Sequence, residues 1–234
     1  MKKSLIRIDI LSAVPEIMES ALNASILKIA RDKGIAKILL HNLHDYASDK
    51  FKHIDDYPYG GAAGMIIQCE PLFKAIETLK SERDYDEIIF MAADGERLNQ
   101  SICNELSLNG NIIIIAGHYK GIDQRVRDFF VTREISIGDY VLGGGELPSI
   151  ILADAIVRLL PGVLGDLESA LEDSYQNDLL EAPQYTRPAI FNNLKVPDIL
   201  LSGDKAKIEK WKLEQSIEKT KNLRPDLYDK YING

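Results

Sequence analysis

The run Asn111-Ile112-Ile113-Ile114-Ile115-Ala116 constrains the fold of this chain more than any other feature. A strand that is apolar on both faces is typical of the interior of a parallel sheet with helices on both sides. Further strands are expected at 6–10, 35–40, 87–91 and 131–137, with helical periodicity between them at 16–32, 70–80, 99–106, 123–130 and 147–160. This alternation predicts an α/β fold with a mostly parallel sheet over residues 1–160.

The last third of the chain has a different character. Residues 161–177 are rich in glycine and acidic residues, which indicates a linker between domains. In 178–234 four prolines exclude long strands, and Ile208 to Lys221 reads as one polar-faced helix. We therefore expect a small, mostly helical C-terminal domain over 178–234.

Charge and hydropathy restrict the partners. The 234 residues include 28 Lys and Arg against 36 Asp and Glu, a net charge of -8. A global field of this sign disfavours non-specific binding to nucleic acid, so an RNA contact needs a local basic patch, and no DNA partner is expected. Arg7 and Asp9 interrupt the apolar N-terminal stretch, and no window has the roughly 18 apolar residues of a membrane span. These patterns predict a cytoplasmic protein without a membrane partner.

Three glycine-bearing segments follow strands or lie in loops: 55–65, 117–123 and 137–148. Ligands of open α/β sheets bind beyond the carboxyl ends of the strands, where glycine lets the backbone approach them. No dinucleotide-binding or P-loop signature occurs, and the segments could equally be ordinary loops. Cys69 and Cys103 form no metal-binding pattern with the histidines.

Polar residues that could carry chemistry cluster around the linker. They are Arg158, Glu172, Asp173, Ser174, Tyr185 and Arg187. Local pattern does not separate a catalytic Arg158 from an ion-paired one, or a catalytic Asp173 from a solvated acid.

Ordered motifs along nearly the whole chain resemble one family. They include DDYPYGG from Asp55, GID from Gly121, SIGDYVL from Ser136, GGELP from Gly144, PGVLG from Pro161, EDS from Glu172, PQYTRP from Pro183 and LLSG from Leu200. Together they resemble the bacterial tRNA (guanine-N1)-methyltransferases of the TrmD type. The resemblance implies methyl transfer to N1 of guanosine 37, next to the anticodon of tRNA.

The same resemblance implies a SPOUT-type parallel sheet with a deep C-terminal trefoil knot. It implies S-adenosylmethionine as cofactor, and a homodimer whose active site lies at the interface. The positions that match the family's cofactor-binding residues are Met91, Ala93, Gly95, Gly117, Tyr119, Ile137, Gly138, Asp139, Tyr140, Val141, Leu142, Gly144, Gly145 and Pro148.

Catalytic and substrate-binding roles also follow from the resemblance. Asp173 matches the general base that removes the N1 proton, and Arg158 matches the residue that stabilises the charge developing on O6. The matching substrate-binding positions are Asp55, Tyr59, Ser169, Tyr185 and Arg187. Four lysines of the C-terminal domain, which could equally form a solvated helix face, are candidates for phosphate contact: Lys205, Lys207, Lys210 and Lys212.

Two departures from the family pattern keep alternatives open. Lys120 stands where the family usually has a glutamate linked to magnesium, which calls a magnesium requirement into question, and His118 replaces an arginine. The first alternative is therefore a catalytically weak or silent knotted dimer that binds RNA or cofactor. The second is a related methyltransferase that acts on ribosomal RNA.

Overall fold

The computed structural model describes residues 5–164, 174–175 and 177–233. Internal contacts divide the chain into two compact units, Met1–Gly165 and Asp166–Gly234.

The first unit contains a five-stranded parallel sheet in its described residues. The strands are β1 (Ile6–Ser12), β2 (Ala36–Asn42), β5 (Glu87–Arg97), β6 (Asn111–Ala116) and β7 (Arg133–Ser136), in the order β2-β1-β6-β5-β7. A separate antiparallel pair joins β3 (Asp55–Asp56) to β4 (Ile66–Ile67). The expected α/β class with a parallel sheet is confirmed.

Helices cover both faces of this sheet. They are α1 (Glu16–Leu22), α2 (Ser25–Asp32), α3 (Cys69–Glu82), α4 (Gln100–Leu106), α5 (Gln124–Phe130) and α6 (Glu146–Val157), with a 3-10 turn at Leu43–Tyr46. Ile112 and Ile114 of β6 pack into the core on the side of α1, α2, α4 and α6. Ile113 and Ile115 pack into the opposite core with α3 and α5. The double-sided burial of β6 explains its uninterrupted apolar sequence.

The largest differences from the sequence expectation in the first unit concern the helix over 16–32 and strand β5. The single helix expected over 16–32 is two helices, because the Asn23 side chain donates to the Glu19 carbonyl at 2.8 Å and the Arg31 guanidinium donates to the Leu22 carbonyl at 2.9 Å. These bonds satisfy carbonyls at the end of α1, and the chain turns before α2 begins. Strand β5 runs on to Arg97 instead of ending at 91, with a register shift against β7 between Met91 and Glu96.

The second unit is built from a short hairpin and three helices in its described residues. The hairpin pairs β8 (Ile190–Phe191) with β9 (Leu194–Lys195) through Asn192 and Asn193, both at positive φ. The helices are α7 (Asp198–Leu201), α8 (Lys205–Leu223) and α9 (Pro225–Asn233). Helix α8 begins earlier than the expected residue 208, because the Asp204 carboxylate accepts a hydrogen bond from the Lys207 N–H at 3.2 Å. No helix in the described residues is both long and apolar enough to cross a membrane.

Candidate functional site

A cavity of about 270 Å³ opens at the carboxyl ends of β5, β6 and β7. Three segments form its wall: residues 90–94 of β5, residues 117–121 after β6, and residues 135–145, which end β7 and lead to α6. Parallel strands bring their carboxyl ends to one edge, so the topology itself assembles segments that are distant in sequence.

Most of the residues matched to cofactor binding line this cavity. They are Met91, Ala93, Gly117, Tyr119, Ile137, Gly138, Tyr140, Val141, Leu142, Gly144, Gly145 and Pro148. Gly95 and Asp139 are not among the lining residues. A Cβ on Gly95 would lie 2.6 Å from the Glu134 carbonyl, so this glycine allows β5 to approach β7 closely. The exposed Asp139 carboxylate lies 2.6 Å from the Arg97 guanidinium.

Two glycines hold the second and third wall segments together. The Gly145 N–H donates to the Gly117 carbonyl at 2.6 Å, and a Cβ on Gly145 would lie only 2.7 Å from the Gly117 nitrogen. A Cβ on Gly117 would lie 2.7 Å from the Phe90 ring. Gly145 therefore packs against backbone and Gly117 against an aromatic ring, which leaves no space for a side chain at either position.

A buried carboxylate connects the start of α6 to the rest of the site. Glu146 is almost fully buried, accepts a hydrogen bond from the Ser12 hydroxyl at 2.9 Å, and lies 3.4 Å from Nδ1 of His118. The Ser12 hydroxyl also accepts the Val14 N–H at 2.9 Å. The sequence analysis did not assign Ser12 or Glu146 to the site. The position of Glu146 within the GGELP motif was a signal for this residue, whereas the strand expected at 6–10 ended before Ser12.

The antiparallel pair β3–β4 is joined to the cavity loop. The Ile67 N–H donates to the Gly121 carbonyl at 3.0 Å, and the Lys120 N–H donates to the Met65 carbonyl at 3.0 Å. Burial raises the pKa of Tyr119, and the charge of Asp55, which is half-buried in β3, adds to this shift. Tyr59, by contrast, is fully exposed.

Arg158 follows the last residue of α6. Its N–H donates to the Asp154 carbonyl at 3.0 Å, and its side chain is half-buried. Burial raises the pKa of Asp154, and the nearby Arg158 charge opposes that shift. The arginine is not among the residues that line the cavity in the described chain.

The remaining predicted residues lie outside residues 5–164, the described part of the first unit. Asp173 and Ser169 lie outside the described residues. Tyr185 and Arg187 belong to the second unit, where both are exposed. Lys207 and Lys210 on exposed α8 form ion pairs with Asp204 at 2.9 Å and Glu214 at 3.9 Å. Within residues 5–164, 174–175 and 177–233, no three His, Cys, Asp or Glu side chains converge as metal ligands.

Comparison with known proteins identifies the family. The family model described as tRNA (Guanine-1)-methyltransferase TrmD matches residues 6–230. The chain belongs to this family. A Bacteroides fragilis protein named tRNA (guanine-N(1)-)-methyltransferase is 57% identical over 223 residues, 95% of this chain and 99% of the relative. Proteins with the same name from Bacteroides thetaiotaomicron (57%; 95% of this chain and 99% of the relative) and Porphyromonas gingivalis (56%; 94% and 98%) are equally similar.

Membership in the TrmD family confirms the resemblance that the sequence motifs indicated. The relatives carry the name of an enzyme, which supports the catalytic interpretation and gives no support to a silent binding protein.

Proposed function

We propose that this chain transfers a methyl group from S-adenosylmethionine to N1 of guanosine 37 in tRNA, in the cytoplasm. The observation that carries the proposal is family membership over residues 6–230, with relatives that are named tRNA (guanine-N(1)-)-methyltransferase. The cavity at the carboxyl ends of β5, β6 and β7 supports it, because the matched cofactor positions converge there.

The residues of the cavity fit S-adenosylmethionine. Ile135, Ile137, Leu142 and Pro148 offer apolar surface for a flat adenine ring, and the glycine-bearing loops offer backbone groups for its polar edge. The close contact of Gly117 with Gly145 places two residues without side chains in the cavity wall. When bound, S-adenosylmethionine supplies an activated methyl group.

The residues of the chain then have two tasks in this mechanism. N1 of guanine carries a proton at neutral pH and is a weak nucleophile until a base removes that proton. We assign this step to the Asp173 carboxylate, because a carboxylate can accept this proton as a general base. Negative charge then develops on O6, where the permanently charged Arg158 guanidinium stabilises it. The target base must leave its stack to reach these groups.

A knot and a dimer are part of the proposal. Strand β7 lies at the edge of the sheet, beside β5. Residues 137–145 nevertheless return to the end of β6, where Gly144 forms an isolated β-bridge with His118. Helix α6 then packs across β1 and β6. Such a return path is the one that a threaded chain requires. On α6, Leu147 and Ile151 lie one turn apart and are 55% and 47% exposed. We assign this apolar face to a second copy of the chain, with the active site at that interface.

Incubation with labelled S-adenosylmethionine and unmodified tRNA carrying G36 and G37 tests the function. We expect label in this tRNA and none in a matched tRNA with adenosine at position 37. Absence of label at every magnesium concentration would reject the proposal, and label in ribosomal RNA alone would favour the related rRNA enzyme.

A further inference from the structure

Apart from two tyrosines, four titratable side chains line the cavity, and three of them are paired. The Arg127 guanidinium contacts the Asp94 carboxylate at 2.9 Å and Oε1 of Glu134 at 2.8 Å. His118 lies against the buried Glu146 carboxylate. Lys120 is the fourth, and it forms no ion pair with any carboxylate in the part of the chain that the structure describes. The cavity wall therefore presents one ammonium group without a counter-ion among these residues.

The Lys120 side chain is held in place along its stem. A Cβ on Gly64 would lie 2.8 Å from Cγ and 3.2 Å from Cε of Lys120, so the stem lies across this glycine. Gly64 has φ +97°, a conformation that disfavours any side chain. The Lys120 N–H is bonded to the Met65 carbonyl as well. The Lys120 backbone is therefore hydrogen-bonded and its stem packs on Gly64, while the residue as a whole is exposed.

We propose that Lys120 binds the α-carboxylate of the amino-acid part of the methyl donor. This inference rests on the proposed function. S-adenosylmethionine has a neutral adenosine part, a positive sulfonium and ammonium, and one anionic group. An ammonium in the wall of its cavity is attracted to the carboxylate and repelled by the other two charges. Lys120 thus orients the methionine part of the donor without forming or breaking a bond.

Isothermal titration calorimetry with two ligands isolates this contact. S-adenosylmethionine and its decarboxylated form differ only in the carboxylate. In Lys120→Met we expect the dissociation constant of S-adenosylmethionine to rise about threefold to tenfold, as for a partly exposed charge pair. The dissociation constant of the decarboxylated form should stay within about twofold of wild type, or fall, since a repulsive charge is removed. Lys120→Arg should retain most of the affinity for both ligands.

The matched control is Lys74→Met, which removes an exposed lysine from α3 in the same unit. It should leave both dissociation constants unchanged. An equal loss of affinity for the two ligands in Lys120→Met, or no loss for either, would overturn the assignment. A rise confined to the KM for tRNA would also overturn it, because the lysine would then contact an RNA phosphate.

The failure of this inference is distinguishable from failure of the proposed function. A wild-type chain that binds neither ligand and labels no tRNA would contradict the function and the inference together. The inference alone would be contradicted if the wild-type chain bound both ligands and labelled tRNA, but Lys120→Met changed the two dissociation constants by the same factor.

Discussion

At the scale of single residues, Asp9 is a buried carboxylate with three partners. Arg7 Nε and Nη2 donate to it at 2.6 and 2.9 Å, Tyr85 Oη donates at 2.7 Å, and Nε2 of His41 lies 2.7 Å away. Burial alone would raise the pKa of Asp9, but the hydrogen bonds from His41, Arg7 and Tyr85 outweigh burial and lower it to about 2. Ionised Asp9 therefore stabilises the fold.

The lowered pKa of Asp9 gives stability a defined pH dependence. The contribution is complete above about pH 4, near the pKa of an unfolded aspartate, and is lost as the pH falls toward 2. We expect Asp9→Asn to lower the free energy of unfolding by about 2 to 4 kcal/mol at pH 7, and by about half as much at pH 3. Urea denaturation at both pH values measures the difference.

Asp32→Asn is the control for Asp9→Asn, because Asp32 forms an exposed pair with Lys28 on α2. Its cost should be below about 0.5 kcal/mol at either pH. The proposed role of the buried carboxylate would be contradicted if Asp9→Asn lowered the free energy of unfolding as little as Asp32→Asn does, or by the same amount at both pH values.

Arg158 and Asp173 are the residues on which the proposed chemistry depends. Arg158→Met should lower kcat about 10²-fold to 10³-fold, as loss of one oxyanion-stabilising group does. Asp173→Ala should abolish turnover. Neither change should alter the dissociation constant of S-adenosylmethionine, which calorimetry measures. Normal turnover in Asp173→Ala would remove its assigned role as base.

At the scale of elements, the contact between residues 117 and 145 should control cofactor affinity. Gly145→Ala forces a Cβ to within 2.7 Å of the Gly117 nitrogen and 2.9 Å of the Ala116 Cα. Because backbone atoms cannot rotate away, the loops must separate. We expect the dissociation constant of S-adenosylmethionine to rise about tenfold or more.

Gly143→Ala provides a matched control for Gly145→Ala. Gly143 lies two residues away in the same loop, and a Cβ there would have no neighbour within 4 Å. The Gly143→Ala variant should bind S-adenosylmethionine with the dissociation constant of wild type and should have the same melting temperature. Equal behaviour of the two alanine variants would show that the contact of Gly145 with Gly117 does not shape the cavity.

Sequence periodicity predicts elements well where burial dictates the pattern. The apolar run of β6 has the bounds expected of it, because alternate isoleucines enter two cores. The break between α1 and α2 depends on the bond from Asn23 to the Glu19 carbonyl, which periodicity does not encode. Likewise, the sequence indicates that Gly95 lies in a loop, whereas in the structure it belongs to β5 and packs closely against the backbone of β7.

At the scale of the whole molecule, the site is only partly accessible to reasoning from residues. Motif positions lead to most of the cavity wall, because loops after neighbouring parallel strands must meet. The role of Glu146 depends on a bond to Ser12, 134 residues away in sequence. No local pattern predicts such a contact. The knot and the dimer came from the family resemblance and stay predictions.

The exposed face of α6 makes the dimer testable. We expect wild type to sediment as a dimer and Ile151→Glu to sediment as a monomer with normal secondary structure and little activity, since a charge is placed in an apolar interface. Leu108→Glu, at another exposed apolar position, should remain dimeric and active. A monomeric, active wild-type protein would contradict the shared active site.

The most direct test of the central claim is mass spectrometry of the nucleosides from reacted tRNA. After incubation with methyl-labelled S-adenosylmethionine, we predict labelled 1-methylguanosine from the fragment that contains position 37, in amounts that match the total label transferred. Label in a different nucleoside, or in a fragment that lacks position 37, would contradict the account.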